Sequence, residues 1–253
     1  LLQAVTRNPL ADPGLIGVTA GAALAATIVL TVLPSSAALL PLVAFVGAMI
    51  AAVVVYTVSW RPGSGSSPMR MILAGVAINA VLGAVIGVLI TAFADRIPAI
   101  MFWTAGSFNG RGWGHVEILW PYTVVGLALA LWIRSRLAAM ELGDDAAVTV
   151  GVPVERTRLI AFAAAALLAG SAASVAGLVG FVGLVVPHVI RLLLGGNYGL
   201  IPIAAIAGGA LLLWSDLAAR LVLAPSEMPV GVITGLIGGP YFIYLLYRSR
   251  WLQ

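Results

Sequence analysis

Few side chains in this sequence could carry chemistry, and their positions limit what that chemistry can be. There are two histidines, His115 and His188, nine acids and no cysteine. Without thiols there is neither a disulfide framework nor a thiolate metal site. The apolar blocks described below put the two histidines on opposite sides of a membrane, so they cannot share a metal ion. No HExxH, no GxSxG and no Asp-rich diphosphate motif occurs, and a membrane enzyme is not supported. Ion-coupled transport calls for ionisable groups near the bilayer midplane. Asp12, Asp95, Glu117, Asp216 and Glu227 instead fall at or near the ends of apolar blocks. Asp216 sits deepest. Arg220 lies one turn on and can pair with it at i,i+4, either as a local ion pair or as part of a functional surface.

The acidic run Glu141-Leu142-Gly143-Asp144-Asp145-Ala146-Ala147, followed by Gly151-Val152-Pro153, is the most informative polar stretch. It lies in a segment, 134–158, that is neither Gly/Ser-rich nor strongly charged, and a loop of that length usually folds and docks on something. Acids suit a helix N-terminus, so a short helix starting at the aspartates and ending at Gly151 is expected. It would be either a rigid knob for another protein to grip or an ordinary solvated loop.

The elements that must position these residues are membrane spans. Of 253 residues, 62% are hydrophobic and only 9% charged, against roughly 25% charge in a soluble domain. The apolar blocks reach the roughly 20 residues a helix needs to cross a bilayer, and no strand-like alternation suggests a β-barrel. Spans are expected at 14–33, 37–59, 69–93, 116–133, 159–178, 181–194, 200–221 and 230–247. The stretch 60–68 reads as a linker, 195–199 as a turn, and 95–117 has room for a short interfacial helix. The chain opens on Leu1 in mid-pattern, so a further N-terminal portion is expected upstream. Every basic residue is arginine. Arg7, Arg61, Arg70, Arg134, Arg136, Arg156, Arg158, Arg191, Arg248 and Arg250 fall on one side and only Arg96, Arg111 and Arg220 on the other, which makes the first side cytoplasmic. The net charge of +4 therefore reads as a topology signal and not as a nucleic-acid footprint.

Glycines supply the packing signal. Gly177, Gly180 and Gly183 recur every three residues before Pro187-His188, as a helical stripe along which another backbone could approach, with Pro187 bending or breaking the segment. Gly17/Gly21 and Gly83/Gly87 form small-xxx-small pairs, and Gly231, Gly235 and Gly239 form two overlapping steps. Each could pack within one subunit or between subunits. Asn79 is the one amide in the 69–93 span.

The run from Thr6 through Arg7-Asn8-Pro9-Leu10-Ala11-Asp12-Pro13 to Gly17 resembles the signature turn of the FecCD-type permeases, the membrane subunits of ABC importers for iron-siderophores, haem and vitamin B12. The resemblance continues in order through 141–152, through Gly180 to Pro187-His188-Val189-Ile190-Arg191, and through Asp216-Leu-Ala-Ala-Arg220. It ends in Ala224-Pro-Ser-Glu227-Met-Pro229 and Gly238-Gly239-Pro240, and so covers essentially the whole chain.

The resemblance implies an all-α polytopic fold of ten spans with an inverted repeat, about eight of them present here, in one permease domain over 1–253. It implies that 134–158 is the cytoplasmic coupling loop, with Glu141 to Ala147, Gly151 and Val152 seated in an ATPase cleft. A bulky residue at Gly143 or Ala147 is then expected to uncouple transport. It also implies a second permease subunit, two cytoplasmic ATPase subunits that hold ATP and Mg, and an extracytoplasmic solute-binding protein docked near Arg220, Arg96 and Arg111. This chain itself is expected to bind no cofactor. The pathway is expected at the subunit interface, near Asn79, Gly83, Gly87, Gly231, Gly235 and Gly239, in the bacterial inner membrane. An iron-siderophore is the first expectation for substrate, with cobalamin or haem as the alternative, and an ion-coupled secondary transporter as the alternative of a different class.

Overall fold

The structure, a computed structural model, describes residues 1–63, 65–195 and 200–248, apart from the side chains of Leu246 and Arg248. The expected turn at 196–199 and Arg250 lie outside the described residues. The helices run in order α1 (Leu2–Thr6), α2 (Val18–Val32), α3 (Leu40–Ser59), α4 (Pro68–Ala92), α5 (Ile97–Thr104), α6 (Trp113–Glu141) and α7 (Asp144–Thr149). They continue as α8 (Val154–Ala176), α9 (Val182–Leu194), α10 (Ile201–Val222) and α11 (Val230–Arg248). Between α3 and α4 a two-residue ladder pairs β1 (Trp60–Arg61) antiparallel with β2 (Gly65–Ser66), so the expected linker is a small hairpin.

α8 is the centre of the molecule, packed against α6, α3 and α2. Its buried side is built from Ala161, Ala164, Ala165, Ala166 and Ala173, and it meets Ala22, Ala23 and Ala26 of α2 and Ala44, Ala48 and Ala52 of α3. Small residues let helix axes come close, which matters where lipid removes the hydrophobic drive and van der Waals packing holds helices together. Large apolar residues such as Val53, Leu73, Val88, Leu213 and Trp214 point outward, as lipid-facing positions should. A second core gathers Ala4, Val5, Ile133, Leu137, Met140, Ala147 and Ala161, joining α1, α6, α7 and α8.

Five helical stretches among the described residues are long and apolar enough to cross a membrane, and α2, α9 and α11 are shorter apolar helices. Three expectations need correction. The span expected at 14–33 is not one helix. Residues Pro13–Ile16 form a 3-10 turn capped by Asp12, whose Oδ1 accepts from the N–H groups of Gly14 and Leu15. Gly17, at φ +81°, separates that turn from α2, so Gly17 and Gly21 do not share a helix face. Gly21 packs instead against Gly47 of α3.

The stripe of Gly177, Gly180 and Gly183 is not helical either. Gly177 closes α8 at φ +73° and α9 starts only at Val182. The break therefore lies upstream of Pro187, and α9 continues through that proline. Pro187 still removes a donor, the one that would have served the carbonyl of Gly183 at i−4. That carbonyl accepts from Gln3 Nε2 at 3.2 Å, and Gln3 Oε1 accepts from Arg191 Nη1 at 2.7 Å. A side chain of α1 thus fills the gap and ties α1 to α9. The third correction concerns 134–158. α6 extends to Glu141 and α8 begins at Val154, which shortens the true connection to 142–153.

Candidate functional site

The connection 142–153 folds for local reasons. Gly143 sits at φ +116°, a conformation that favours glycine, and turns the chain out of α6. Asp144 and Asp145 then occupy the first turn of α7, where acids meet the positive end of the helix dipole. The N–H groups of Gly151 and Val152 return to the carbonyls of Val148 and Ala147, both at 2.9 Å, closing the helix just before the expected Gly151.

One face of this element is anchored and the other is bare. Ala147 has no exposed surface and lies in the core with Val5 and Leu137. Leu142 and Val150 are 81% and 71% exposed, and Val148 is exposed beside them. Glu141, Asp145 and Gly151 are also exposed, and Val152 is half-buried. The neighbouring acids and arginines place these apolar side chains on a water-facing end and not in lipid. The burial of Ala147 changes what a substitution there would mean, because a tryptophan would wreck the loop's own seat and say nothing about a partner.

Sequence reasoning missed the anchor of this loop. Arg158 is 4% exposed, and its Nη2 donates to Asp144 Oδ2 at 2.9 Å. Its Nη1 donates to the carbonyl of Ser66 at 2.5 Å and lies 3.4 Å from Glu155 Oε2. The Arg7 guanidinium pairs with the other oxygen of Asp144. Glu155 Oε1 accepts from Tyr56 OH and from the N–H of Ser66, both at 3.0 Å. Arg70 Nη2 donates to the carbonyl of Gly65 at 2.7 Å. The arginine pattern signalled only membrane side. The one sequence hint of a structural role was Arg158 standing near the start of an otherwise apolar block. A buried guanidinium is tolerated only when paired and hydrogen-bonded, and here three acceptors meet it.

The other expected site residues are scattered. On the arginine-poor side, Arg96 pairs with its neighbour Asp95 at 3.0 Å. Arg111 Nη1 lies 3.3 Å from His115 Nε2, and burial lowers its pKa from the ordinary arginine value. Arg220 holds Asp216 through Nε at 2.8 Å. The three arginines sit on different elements. Glu227 is exposed and Pro229 half-buried in the turn before α11. His188 stacks edge-on to Tyr241, with ring centres 6.2 Å apart. Asn8 Oδ1 accepts from the N–H of Leu10 at 2.9 Å, and Pro9 lies across from His188 and Tyr241.

Asn79 donates Nδ2 to the carbonyl of Gly14 at 2.7 Å, so its amide is committed to the 3-10 turn. A Cβ added at Gly83, Gly87, Gly235 or Gly239 would meet nothing within 4 Å, so no close packing among the described residues uses them. Gly231 differs from them, for a Cβ there would strike the carbonyl of Ala105.

Apolar helices interrupted by irregular breaks, with an anchored helix at the arginine-rich end, define a polytopic membrane permease. Residues 1–248 match the model of the FecCD transport family, and the chain belongs to that family. It is 40% identical over 261 residues to the hemin transport system permease protein HmuU of Yersinia pestis, covering 99% of this chain and 76% of that one. It is also 40% identical over 252 residues to the cobalamin import system permease protein BtuC of Halobacterium salinarum, covering 99% and 67%. Five relatives at 35–38% identity are named for iron(3+)-hydroxamate, Fe(3+)-citrate or Fe(3+) dicitrate transport. An inward-facing structure described as a metal-chelate type ABC transporter matches with a TM-score of 0.85 at 26% identity, over 98% of this chain and 80% of that one. The fold is that of a type II ABC importer permease, and the relatives are permease subunits, not enzymes. Relatives of equal identity are named for different substrates, hemin and cobalamin.

Proposed function

We propose that this chain carries an iron-siderophore chelate inward across the bacterial cytoplasmic membrane, as one of two permease subunits driven by a separate pair of ATPase subunits. ATP and Mg2+ belong to those partners, and the chelate arrives on an extracytoplasmic binding protein. The observation that carries the reading is the loop 142–153, which displays Leu142, Val148 and Val150 to water from a seat fixed by Ala147 and Asp144. Exposed apolar residues on a rigid, charged end mark a surface for another protein. Support for a ferric chelate over hemin or cobalamin comes from the greater number of relatives named for ferric cargo.

The test is ATP hydrolysis by the reconstituted complex, with binding protein loaded in turn with ferric hydroxamate, ferric citrate, hemin or cobalamin. A ferric chelate should stimulate hydrolysis most. Leu142→Asp combined with Val150→Asp should cut the stimulated rate by about tenfold or more, as removal of central contact residues does. Because both side chains are exposed, unfolding should shift by no more than about 0.5 kcal/mol. Stimulation that survives the double substitution would remove the docking assignment, and a response to cobalamin or hemin alone would remove the ferric one.

A further inference from the structure

Resting on the reading of 142–153 as the ATPase-docking loop, we propose that Arg158 and Glu155 are positioning residues that transmit movement of that loop to the hairpin 60–66. From the hairpin the movement passes to α3 and α4. The path can be followed atom by atom. The loop enters it at Asp144, in the first turn of α7, which takes Arg158 Nη2 on one oxygen and Arg7 on the other. Arg158 and Glu155 lie one turn apart on α8 and together clamp one residue of the hairpin. Arg158 Nη1 donates to the Ser66 carbonyl at 2.5 Å, and Glu155 Oε1 accepts from the Ser66 N–H at 3.0 Å. Both backbone groups of Ser66 are thus held by α8 side chains.

Glu155 also fits tightly against the next residue, since a Cβ on Gly65 would stand 2.6 Å from its Oε2. From the clamp the path divides. The Tyr56 hydroxyl donates to Glu155 Oε1 at 3.0 Å and ties in the last turn of α3. Arg70, in the first turn of α4, donates to the Gly65 carbonyl at 2.7 Å.

Two features separate this from a loop that is merely fastened. The first is directness. Asp144 and Ser66, far apart in sequence, are joined through a single guanidinium 4% exposed, so a shift of one pulls on the other through one nearly buried group. The second is where the path leads. α4 is held near its start, where Met71 and Ala74 are buried and Asn79 bonds the Gly14 carbonyl, while a Cβ on Gly83 or Gly87 further along would meet nothing among the described residues. A displacement delivered to the start of α4 therefore reaches a helix gripped at that end and bare beyond it. A network that links two elements by discrete bonds can bias both at once, and a substitution along it can change the coupling without touching either end.

The experiment uses the full permease with its ATPase subunits and binding protein in proteoliposomes, and reads ATP hydrolysed per chelate imported. The probe is whichever of ferric hydroxamate, ferric citrate, hemin or cobalamin the wild type imports. With Arg158→Gln the ratio should rise by about tenfold, through loss of import and not of hydrolysis, in complexes of unchanged subunit composition. Arg158→Lys, which keeps the charge but can serve fewer of the three acceptors, should give an intermediate ratio. If Arg158→Gln does not assemble, Glu155→Gln replaces it. Glu155 is half exposed. Its amide keeps the shape and one oxygen for the Ser66 N–H but sets an NH2 donor in place of the Oε2 that meets Arg158. That breaks the link between the two clamp residues, so the ratio should again rise.

Import and hydrolysis falling together at constant ratio in an assembled Glu155→Gln complex would overturn the proposal and leave a structural anchor. A wild-type ratio in both variants would overturn it as well. Failure of the wild type to show hydrolysis stimulated by the binding protein would instead remove the proposed function, and this inference with it.

Discussion

Residues 7–17 and residues 177–181 each interrupt the helical path and lead into a short apolar helix, but they are filled in different ways. The first break is held by side chains and by one close backbone approach, where Gly75 of α4 lies against the Leu15 carbonyl. Arg7 reaches Asp144, Asn8 and Asp12 bond their own turns, and Asn79 crosses from α4 to the Gly14 carbonyl. The second is held by backbone against backbone. Ser107 N–H donates to the Ala176 carbonyl at 2.8 Å and Gly231 N–H to the Gly106 carbonyl at 3.3 Å. A Cβ on Gly177 would strike the Trp103 carbonyl, one on Gly106 the Leu178 carbonyl, and one on Gly231 the Ala105 carbonyl. Three segments, the end of α5 and its exit (103–107), the break 177–181 and the entry to α11 (229–231), thus meet at glycines. Irregular backbone at membrane depth must be satisfied inside the protein. The polar break does this mainly with side chains, and the break poor in them brings its chains close enough to serve one another.

The contrast breaks most visibly at Gly177. Gly177→Ala meets both a left-handed backbone and the Trp103 carbonyl, and should cost about 3 kcal/mol or more. Gly183→Ala is the control, since its Cβ would find only Pro13 Cδ at 3.9 Å, and inside a helix alanine is no worse than glycine. Thermal unfolding of the two proteins in detergent compares them. If Gly177→Ala melts no earlier than Gly183→Ala, close backbone approach does not hold the second break. In the first break the expected effect is smaller. Asn79→Ala leaves the Gly14 carbonyl without that donor, at a cost of about 1–2 kcal/mol read in the same melt. An unchanged melting point would mean that side chains are incidental there too.

The same contrast explains what could be read from the sequence. The turn at 6–13 was legible because Pro9 and Pro13 act on their own neighbours, and turn chemistry is local, but its continuation through Gly17 was read as part of a span. The helix at 144–149 was legible for the same reason, through its aspartates and Gly151. The eight apolar blocks were legible from hydropathy, but their ends were not, since α6 carries its helix through Arg134 and Arg136 to Glu141. The glycine junction was illegible. Gly106, Gly177 and Gly231 need no side chain because of neighbours far away in sequence, and regular spacing made Gly177 look helical. The clamp on Ser66 was hidden likewise, because an arginine near a membrane boundary reads as a topology mark until its partners are seen.

The smallest expected effect comes from the ion pairs. Arg158 joins Asp144 from a different helix while almost fully buried. Arg220, by contrast, joins Asp216 within one turn of α10, with its side chain 45% exposed. A surface pair at i,i+4 is worth a few tenths of a kcal/mol, so Asp216→Ala should leave unfolding unchanged. That makes it a clean test of what the arginine does besides pairing. Removing the carboxylate adds one positive charge to the outward face. If Arg220 steers an acidic binding protein, the association rate should rise by a few-fold at low salt, with little change in dissociation. The gain should shrink as salt rises. Arg220→Glu should act in the opposite direction. Association rates that are identical for both variants and insensitive to salt would leave Arg220 with the local pair as its whole role, a charge used only within its own helix.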